Sequence, residues 1–252
     1  MNFYDTNAWV GNWPFEPVGH DDISALRKHW KSAGVSGGLV SSLDALWLLN
    51  PTAVNTALIT ATRRLAGVDP LPILNLLDPA WEEQLGHLLE SQAVKAVRLA
   101  PGYGGWKMND RRAVEAAKHI IARGRQVVLT ARLVDERHGH PTFKVKPVAA
   151  KAIARWIERV PEMTPLVQGL SRWELEELAK LSDRFLTDLS FNEWADTIGV
   201  IAKSVGHDRI VFGSLTPLHV LQAHVNKVSQ SPATLARRRA VAAGNALKFL
   251  SK

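Results

Sequence analysis

A chain of 252 residues without a cysteine is long enough to bury a large core, but it cannot use disulfides, thiol catalysis or thiolate metal ligands. Its 46% of hydrophobic residues include no run long enough to span a membrane, and no segment has a disordered composition. The formal net charge is +7, but Lys and Arg are scattered over predicted helices without a nucleic-acid-binding motif. We therefore expect a cytoplasmic protein without nucleic-acid or membrane partners, since no targeting signal precedes the first strand.

The first stretch, residues 3–15, has the pattern of a short apolar strand followed by an irregular loop. Asp5 and Asn7 lie two positions apart, so they share one face of the strand. Gly11 and Pro14 then direct the chain away from regular structure.

The rest of the chain alternates short apolar runs with longer amphipathic ones. Further strands are predicted over residues 35–42, 70–76, 94–100, 126–132, 164–169, 184–190 and 208–214. Helices are predicted over residues 22–33, 51–65, 79–92, 111–122, 145–160, 172–181, 193–205, 218–228 and 232–250. Eight strands separated by helices predict an α/β fold, a single (β/α)8 TIM barrel over residues 1–252, with an open doubly wound sheet as the alternative. Gly37 and Gly38 in the second strand predict close packing by a neighbouring layer.

In a closed barrel the functional site lies at the C-terminal ends of the strands. The side chains predicted there are rich in Arg, amide and indole groups and poor in His and carboxylate. We predict that substrate is bound by Asn7, Trp9, Arg98, Tyr103, Trp106, Arg132 and Gln168. Such a lining favours recognition of a carboxylate, a phosphate or a sugar.

Two arginines at these strand ends have alternative roles. Arg98 and Arg132 end adjacent strands, so both could bind one carboxylate of a ligand. The alternative is that they pair with acidic residues of the barrel itself, because a buried guanidinium needs an anion from either source. The acidic candidates are Asp5, Asp135 and Asp188.

The most reactive cluster in the sequence is the charged loop 135–141, which follows the fifth strand. A carboxylate beside an imidazole can act as a general base with the group that orients it. We predict the catalytic residues Asp135, Glu136, His140 and Asp188. The alternatives are a solvated loop whose acids pair with Arg132 or Arg137, and a structural role for Asp188 beside Arg98.

Five segments resemble the amidohydrolase superfamily, and most closely its amidohydrolase-related, metal-dependent-hydrolase-like TIM barrels. These segments are Asp5–Trp9, Val97–Pro101, Leu166–Gly169, Phe212–Pro217 and Ala243–Leu250. They are spread over the whole chain in consistent order. The resemblance implies a TIM barrel and a hydrolase activity at its C-terminal mouth.

The same resemblance implies a divergent member without the family's metal ligands. Metal-dependent members carry His-x-His on the first strand, further His or Lys on later strands, and an Asp on the eighth. The residues at those positions here are Asn7, Trp9, Ala100, Thr130 to Arg132, Gln168 and Leu215. Amides, indole and hydrocarbon are poor ligands for a divalent ion, and leucine cannot accept a proton. We therefore expect no metal and no other cofactor.

Two functions follow as hypotheses. The first is a hydrolase-like enzyme that acts without metal on a small anionic or sugar-derived substrate. The second is a non-catalytic binding or scaffold protein of the same fold, which aromatic side chains filling the barrel mouth would favour. We also predict that Leu218, Leu221 and Val225 form an exposed face suited to a homodimer.

Overall fold

The computed structural model describes residues 1–19, 21–135, 140 and 144–251. Its strands are β1 (Phe3–Val10), β2 (Val35–Ser42), β3 (Val68–Pro70), β4 (Ile73–Leu74), β5 (Ala96–Leu99), β6 (Gln126–Thr130), β7 (Leu166–Gln168) and β8 (Leu186–Thr187). Its α-helices are α1 (Ile23–Ser32), α2 (Thr52–Thr62), α3 (Trp81–Glu90), α4 (Pro101–Gly104), α5 (Arg111–Ala122), α6 (Ala150–Glu158), α7 (Arg172–Leu181), α8 (Thr197–Val205), α9 (Leu221–Ser229), α10 (Leu235–Arg239) and α11 (Asn245–Leu250).

All strand pairs are parallel, in the orders β1-β2-β3 and β4-β5-β6-β7-β8. β3 and β4 are two parts of the third barrel strand, which the sequence pattern predicts as one. Pro72 interrupts it because proline has no backbone N–H to donate to a neighbouring strand. The contacts continue across the break, since the Leu71 amide donates to the Val40 carbonyl at 2.7 Å and the Arg98 amide donates to the Pro72 carbonyl at 2.8 Å.

Residues 210–214 form the eighth and last strand position of the barrel, between β8 and β1, and close the barrel. On one side, the Val211 amide donates to the Thr187 carbonyl of β8 at 2.9 Å. On the other side, the Thr6 amide of β1 donates to the Phe212 carbonyl at 3.0 Å. The last strand therefore joins both ends of the sheet, and the predicted (β/α)8 barrel is confirmed.

Asp5 links the first and last strands of the barrel where the sheet closes. Its fully buried carboxylate accepts hydrogen bonds from the Ser214 amide at 2.9 Å, the Ser214 hydroxyl at 2.5 Å and the Asn7 amide at 3.1 Å. The Trp30 indole of α1 donates to it at 3.2 Å. Burial raises the pKa of Asp5, and these hydrogen bonds act in the opposite direction.

The main core lies between the barrel and its ring of helices. Helix α6 shows the pattern, because Ile153, Trp156 and Ile157 recur at helical spacing and are all buried. The Trp156 indole donates to the Ala113 carbonyl of α5 at 2.9 Å, so this large side chain is buried without an unmet donor. Such contacts hold the helices against the strands that carry the site.

Several predicted boundaries and one predicted surface need correction. The helix predicted over 193–205 begins at Thr197, because the Asp196 side chain caps it by accepting from the Gly199 amide at 3.0 Å. Leu221 and Val225 are buried, so the prediction of an exposed face on α9 was wrong. The helix turns these residues toward the core because they form its apolar stripe.

No helix in the described part of the chain has the length and apolar character required to cross a bilayer.

Candidate functional site

A fully buried group of polar side chains occupies the barrel interior near the C-terminal ends of the strands. Its members, which we call the polar centre, are Asn7, Trp9, Arg98, Thr130 and Asp188. Asn7 lies in its middle: its amide nitrogen donates to an Asp188 oxygen at 2.8 Å. Its side-chain oxygen accepts from the Trp9 indole at 2.9 Å and from Arg98 Nη1 at 3.4 Å. Asn7 and Trp9 are two positions apart on β1, so both side chains point into the barrel.

Arg98 is the cation of the polar centre. Its Nη1 donates to the Thr130 hydroxyl at 2.7 Å, and its guanidinium lies 4.0 Å from the centroid of the Trp9 ring. Within the described residues, its Nε and Nη2 have no hydrogen-bond partner. Burial lowers the pKa of Arg98 to about 9, while the charges of Asp188 and Asp5 raise it, so the group is protonated at neutral pH.

Asp188 is the acid of the polar centre. One of its oxygens accepts from Asn7, and the other accepts from the Gly169 amide at 3.2 Å. Burial raises the pKa of Asp188, and the hydrogen bonds from Asn7 and Gly169 lower it. The carboxyl is therefore held in one orientation and binds a proton more readily than an exposed aspartate.

Gln168 lies in the same interior, but its side chain contacts the backbone of β1 and not the members of the polar centre. Its amide nitrogen donates to the Thr6 carbonyl at 2.7 Å, which links the sixth barrel strand to the first. Its side-chain oxygen is buried and has no hydrogen-bond partner among the residues described.

An apolar and aromatic cluster, which we call the mouth cluster, lies at the strand ends around the polar centre. Trp13 contacts Phe15 and Trp47, each with ring centroids 5.4 Å apart, and Tyr103 lies 6.3 Å from Trp47. The buried members are Trp9, Trp13, Leu43, Ala45, Leu46, Ile73, Ala100, Leu133 and Leu215. Half-buried members include Phe15, Trp47, Tyr103, Val134, Phe191 and Leu218. Trp9 thus belongs to both groups and separates Arg98 from the cluster above it.

The predicted binding residues do not all converge. Tyr103 joins the mouth cluster, and its hydroxyl accepts from the Leu133 amide at 3.0 Å. Trp106 is buried in the main core between barrel and helices. Arg132 donates to Glu174 of α7 at 2.6 Å and lies 5.3 Å from the Phe191 ring, whereas Arg98 contacts Asn7 and Thr130. The two arginines therefore have separate partners.

The predicted catalytic residues outside the polar centre belong to the loop after β6. Asp135 is half-buried and follows Val134 of the mouth cluster. His140 is exposed and stacks on Phe15, with ring centroids 5.3 Å apart and planes inclined by 27°. This contact places His140 at the rim of the mouth. Glu136, together with Arg137 and His138, lies outside the described residues.

Glu174, the partner of Arg132, is a site residue that was not predicted from the sequence. The sequence does carry a signal for this residue, because Ser171 and Glu174 form a capping box at the start of α7. One Glu174 oxygen accepts from the Ser171 amide at 2.8 Å, while the other accepts from Arg132. The capping residue thus also neutralises the arginine at the barrel rim.

A second cluster was missed on the side of α9. Lys227 Nζ lies 2.6 Å from a Glu193 oxygen, 3.3 Å from the Leu189 carbonyl and 3.2 Å from His224 Nδ1. The His219 and His224 rings stack with centroids 5.5 Å apart. Burial lowers the pKa of His224 to about 2, with the Lys227 charge as a second cause, so the imidazole is neutral and can accept from the ammonium.

Comparison with solved structures finds the same fold across the whole chain. A 2,6-dihydroxybenzoate decarboxylase from Rhizobium is 13% identical with a TM-score of 0.75, covering 98% of this chain and 99% of its own. A proposed amidohydrolase from Staphylococcus aureus is 10% identical with a TM-score of 0.78, and the match covers 100% of both chains. The chain therefore shares the TIM-barrel fold of these proteins. The resemblance predicted from the sequence is thus confirmed at the level of fold. No protein-family model matches the chain, and no curated protein matches it in sequence.

A dihydroxybenzoic acid decarboxylase from Polaromonas sp. JS666, 12% identical with a TM-score of 0.79 over 100% of this chain and 97% of its own, contains manganese. Four residues at the strand ends here are poor ligands for such an ion. Asn7 and Gln168 offer neutral amides that are already bonded to the barrel, and Ala100 and Leu215 offer no ligand atom. Across the described ranges, no three His, Cys, Asp or Glu side chains are grouped to hold a metal.

Proposed function

We propose that this chain acts without a resident metal ion on a small anionic compound at the C-terminal mouth of its barrel, as a hydrolase-like or lyase-type enzyme. One observation carries the proposal: the buried guanidinium of Arg98 has two nitrogens, Nε and Nη2, without a partner among the described side chains and backbone groups. Buried donors in folded proteins are nearly always bonded, and a guanidinium edge matches an oxyanion. Arg98 is therefore the proposed anchor for the anion.

The fold neighbours suggest which anions to test first. Their names identify decarboxylases for 2,6-dihydroxybenzoate and 5-carboxyvanillate, both aromatic carboxylic acids. The mouth cluster presents indole and phenol rings above Arg98, and such rings bind aromatic ligands and the apolar faces of sugars. Aromatic carboxylates and sugar acids are therefore the first classes to screen.

Acid and base groups for this activity come from two places. Asp188 lies in the polar centre with its carboxyl oriented by Asn7, and its raised pKa suits a group that exchanges a proton. Asp135, Glu136 and His140 are the proposed groups from the loop, since His140 reaches the rim through Phe15. The structure supports a proton-transfer role for Asp188 through its contact with Asn7.

The mouth cluster favours the second function, a non-catalytic binding or scaffold protein. Trp13 is buried, and Phe15, Trp47 and Tyr103 are half-buried around it, so aromatic side chains occupy space that an open active site would leave to substrate. In this case Arg98 and its neighbours hold the barrel together, and ligands bind without conversion.

A ligand screen on metal-free protein distinguishes the two functions. Protein dialysed against EDTA is tested by thermal shift with aromatic carboxylates and sugar acids, and each ligand that binds is analysed for products by chromatography. We expect a rise in melting temperature that Arg98→Lys weakens, because lysine keeps the charge but loses the planar fork. Arg111→Met is the matched control, because this arginine side chain is 84% exposed.

The outcomes separate clearly. Binding with product formation supports the enzyme, and binding without product supports the second function. Binding that requires added metal, or binding unaffected by Arg98→Lys, contradicts the proposal.

A further inference from the structure

We propose that Arg98 is the resident cation of this barrel: it neutralises two buried carboxylates, and two of its nitrogens, Nε and Nη2, remain to donate to a ligand oxygen. The inference rests on the metal-free part of the proposed function. It assigns two roles to Arg98: its positive charge stabilises the fold, and its free nitrogens bind the ligand.

The charges of the barrel interior require such a cation. Asp5 and Asp188 are both fully buried, and the hydrogen bonds that each accepts offset only part of the cost of burying a carboxylate, so the pKa of both groups is raised. Two buried negative charges are strongly unfavourable without a positive charge nearby. In the part of the chain that the structure describes, Arg98 is the only cationic side chain at 0% exposure.

The hydrogen bonds around Arg98 resemble the two layers of a metal site. Asn7 connects Arg98 to Asp188, because its oxygen accepts from Arg98 and its nitrogen donates to Asp188. A single amide therefore orients the cation and the carboxylate relative to each other. Groups that orient the ligands of a metal ion act in the same way.

The two unpaired nitrogens of Arg98 define where a ligand oxygen would bind. Trp9 covers one face of the guanidinium, and Nη1 is bonded to Thr130, so Nε and Nη2 remain. A ligand therefore binds in the plane of the guanidinium, with one or two oxygens facing these nitrogens. A catalytic metal site likewise leaves one position to its substrate.

A guanidinium also differs from a metal ion in what it can do. It donates hydrogen bonds and stabilises negative charge, but it does not coordinate water and so does not lower the pKa of a bound water. We therefore infer that Arg98 stabilises an anionic ligand and that any proton transfer depends on a separate acid or base.

A double-mutant cycle tests the charge balance. Melting temperatures of wild type, Arg98→Met, Asp188→Asn and the double variant are measured in EDTA. We expect Asp188→Asn to lower the melting temperature in the wild-type background and to raise it in the Arg98→Met background. The reason is that the buried carboxylate destabilises the fold only when the positive charge of Arg98 is absent. Equal effects in both backgrounds would overturn the proposal.

A rescue experiment covers the case in which Arg98→Met does not fold. Arg98→Ala leaves a space for a small cation, and the double variant Arg98→Ala, Asp188→Asn provides a folded reference. We expect millimolar methylguanidinium to raise the melting temperature of Arg98→Ala and to leave wild type and Arg111→Met unchanged. Stabilisation of wild type by stoichiometric manganese or zinc would contradict the inference.

These experiments use no substrate, so their failure is distinct from failure of the proposed function. If Asp188→Asn has opposite effects in the two backgrounds but no anion binds, only the proposed function is refuted. If an anion binds but Asp188→Asn has the same effect in both backgrounds, Arg98 remains a ligand anchor and its role as resident cation is refuted.

Discussion

At the scale of single residues, Asn7 determines the arrangement of the polar centre. Its amide nitrogen donates to Asp188, while its oxygen, with two lone pairs, accepts from both Trp9 and Arg98. A neutral histidine has a single acceptor nitrogen for these two donors, and an aspartate would have no donor for Asp188. Asn7 thus fits a site organised by hydrogen bonds around an arginine.

The substitution Asn7→Asp tests this arrangement. It removes the donor to Asp188 and places a second carboxylate beside it, so we expect a loss of about 3 kcal/mol in the free energy of unfolding near neutral pH. The loss should shrink at about pH 5, because one proton shared by the two acids relieves the repulsion. Urea unfolding at both pH values measures it.

Trp9→Phe is the matched comparison for Asn7→Asp. It removes one neutral hydrogen bond to Asn7 and keeps a ring over Arg98, so a loss of about 1 kcal/mol without pH dependence is expected. A pH-independent loss in Asn7→Asp would contradict the hydrogen-bond assignment.

At the scale of elements, the pairing of β1 with β2 brings two backbones unusually close. A Cβ atom added at Gly38 would lie 2.1 Å from the Asp5 carbonyl oxygen, a distance that no side chain can occupy. The sequence predicted close packing by a neighbouring layer, whereas the close backbone is that of the adjacent strand β1 in the same sheet. It also ties the position of Asp5 to the glycine opposite.

Gly38→Ala is therefore expected to destabilise the barrel by about 3 kcal/mol or more, because backbone atoms must move apart. Gly86 provides the control, since it lies in helix α3 with nothing within 4 Å of an added Cβ. Gly86→Ala should stabilise the chain by up to about 1 kcal/mol through its helix propensity. Equal melting temperatures for both variants would contradict the close approach.

The same elements show how far the sequence could predict the site. Strand alternation predicted Asp5 and Asn7 on one face, but the register of β1 shifts between Asp5 and Ala8, and the two side chains have different partners. Asp5 accepts from Trp30 of α1, whereas Asn7 contacts Asp188 and Arg98 inside the barrel, so the simple period of two was wrong here. The partner of Arg132 was not predictable in this way. Glu174 lies 42 positions away, and any of several acidic residues could pair with an arginine at this place. The aromatic mouth cluster was likewise formed by residues from separate loops.

At the scale of the whole molecule, burial of a titratable group connects stability to pH. Burial lowers the pKa of His224 from its usual 6.5 to about 2. Between these values the unfolded chain binds a proton that the folded chain does not, so stability is lost as the pH falls below about 6.5. The slope for one such group is about 1.4 kcal/mol per pH unit.

His224→Gln should flatten this loss, because glutamine does not titrate and can still accept from Lys227. Chemical unfolding at several pH values between about 5 and 7 measures the difference. His219, whose pKa burial also lowers, leaves part of the slope in the variant. Parallel curves for wild type and His224→Gln would show that another group governs the acid response.

The bond between Asp5 and Ser214 also bears on how the chain matures as it leaves the ribosome. The two residues are separated by 209 positions, so a nascent chain exposes the carboxylate long before its hydroxyl partner has been translated. Contacts of such sequence separation form late. Translation of the final strand is thus the event that supplies the hydrogen-bond partner of Asp5 and allows the barrel to close.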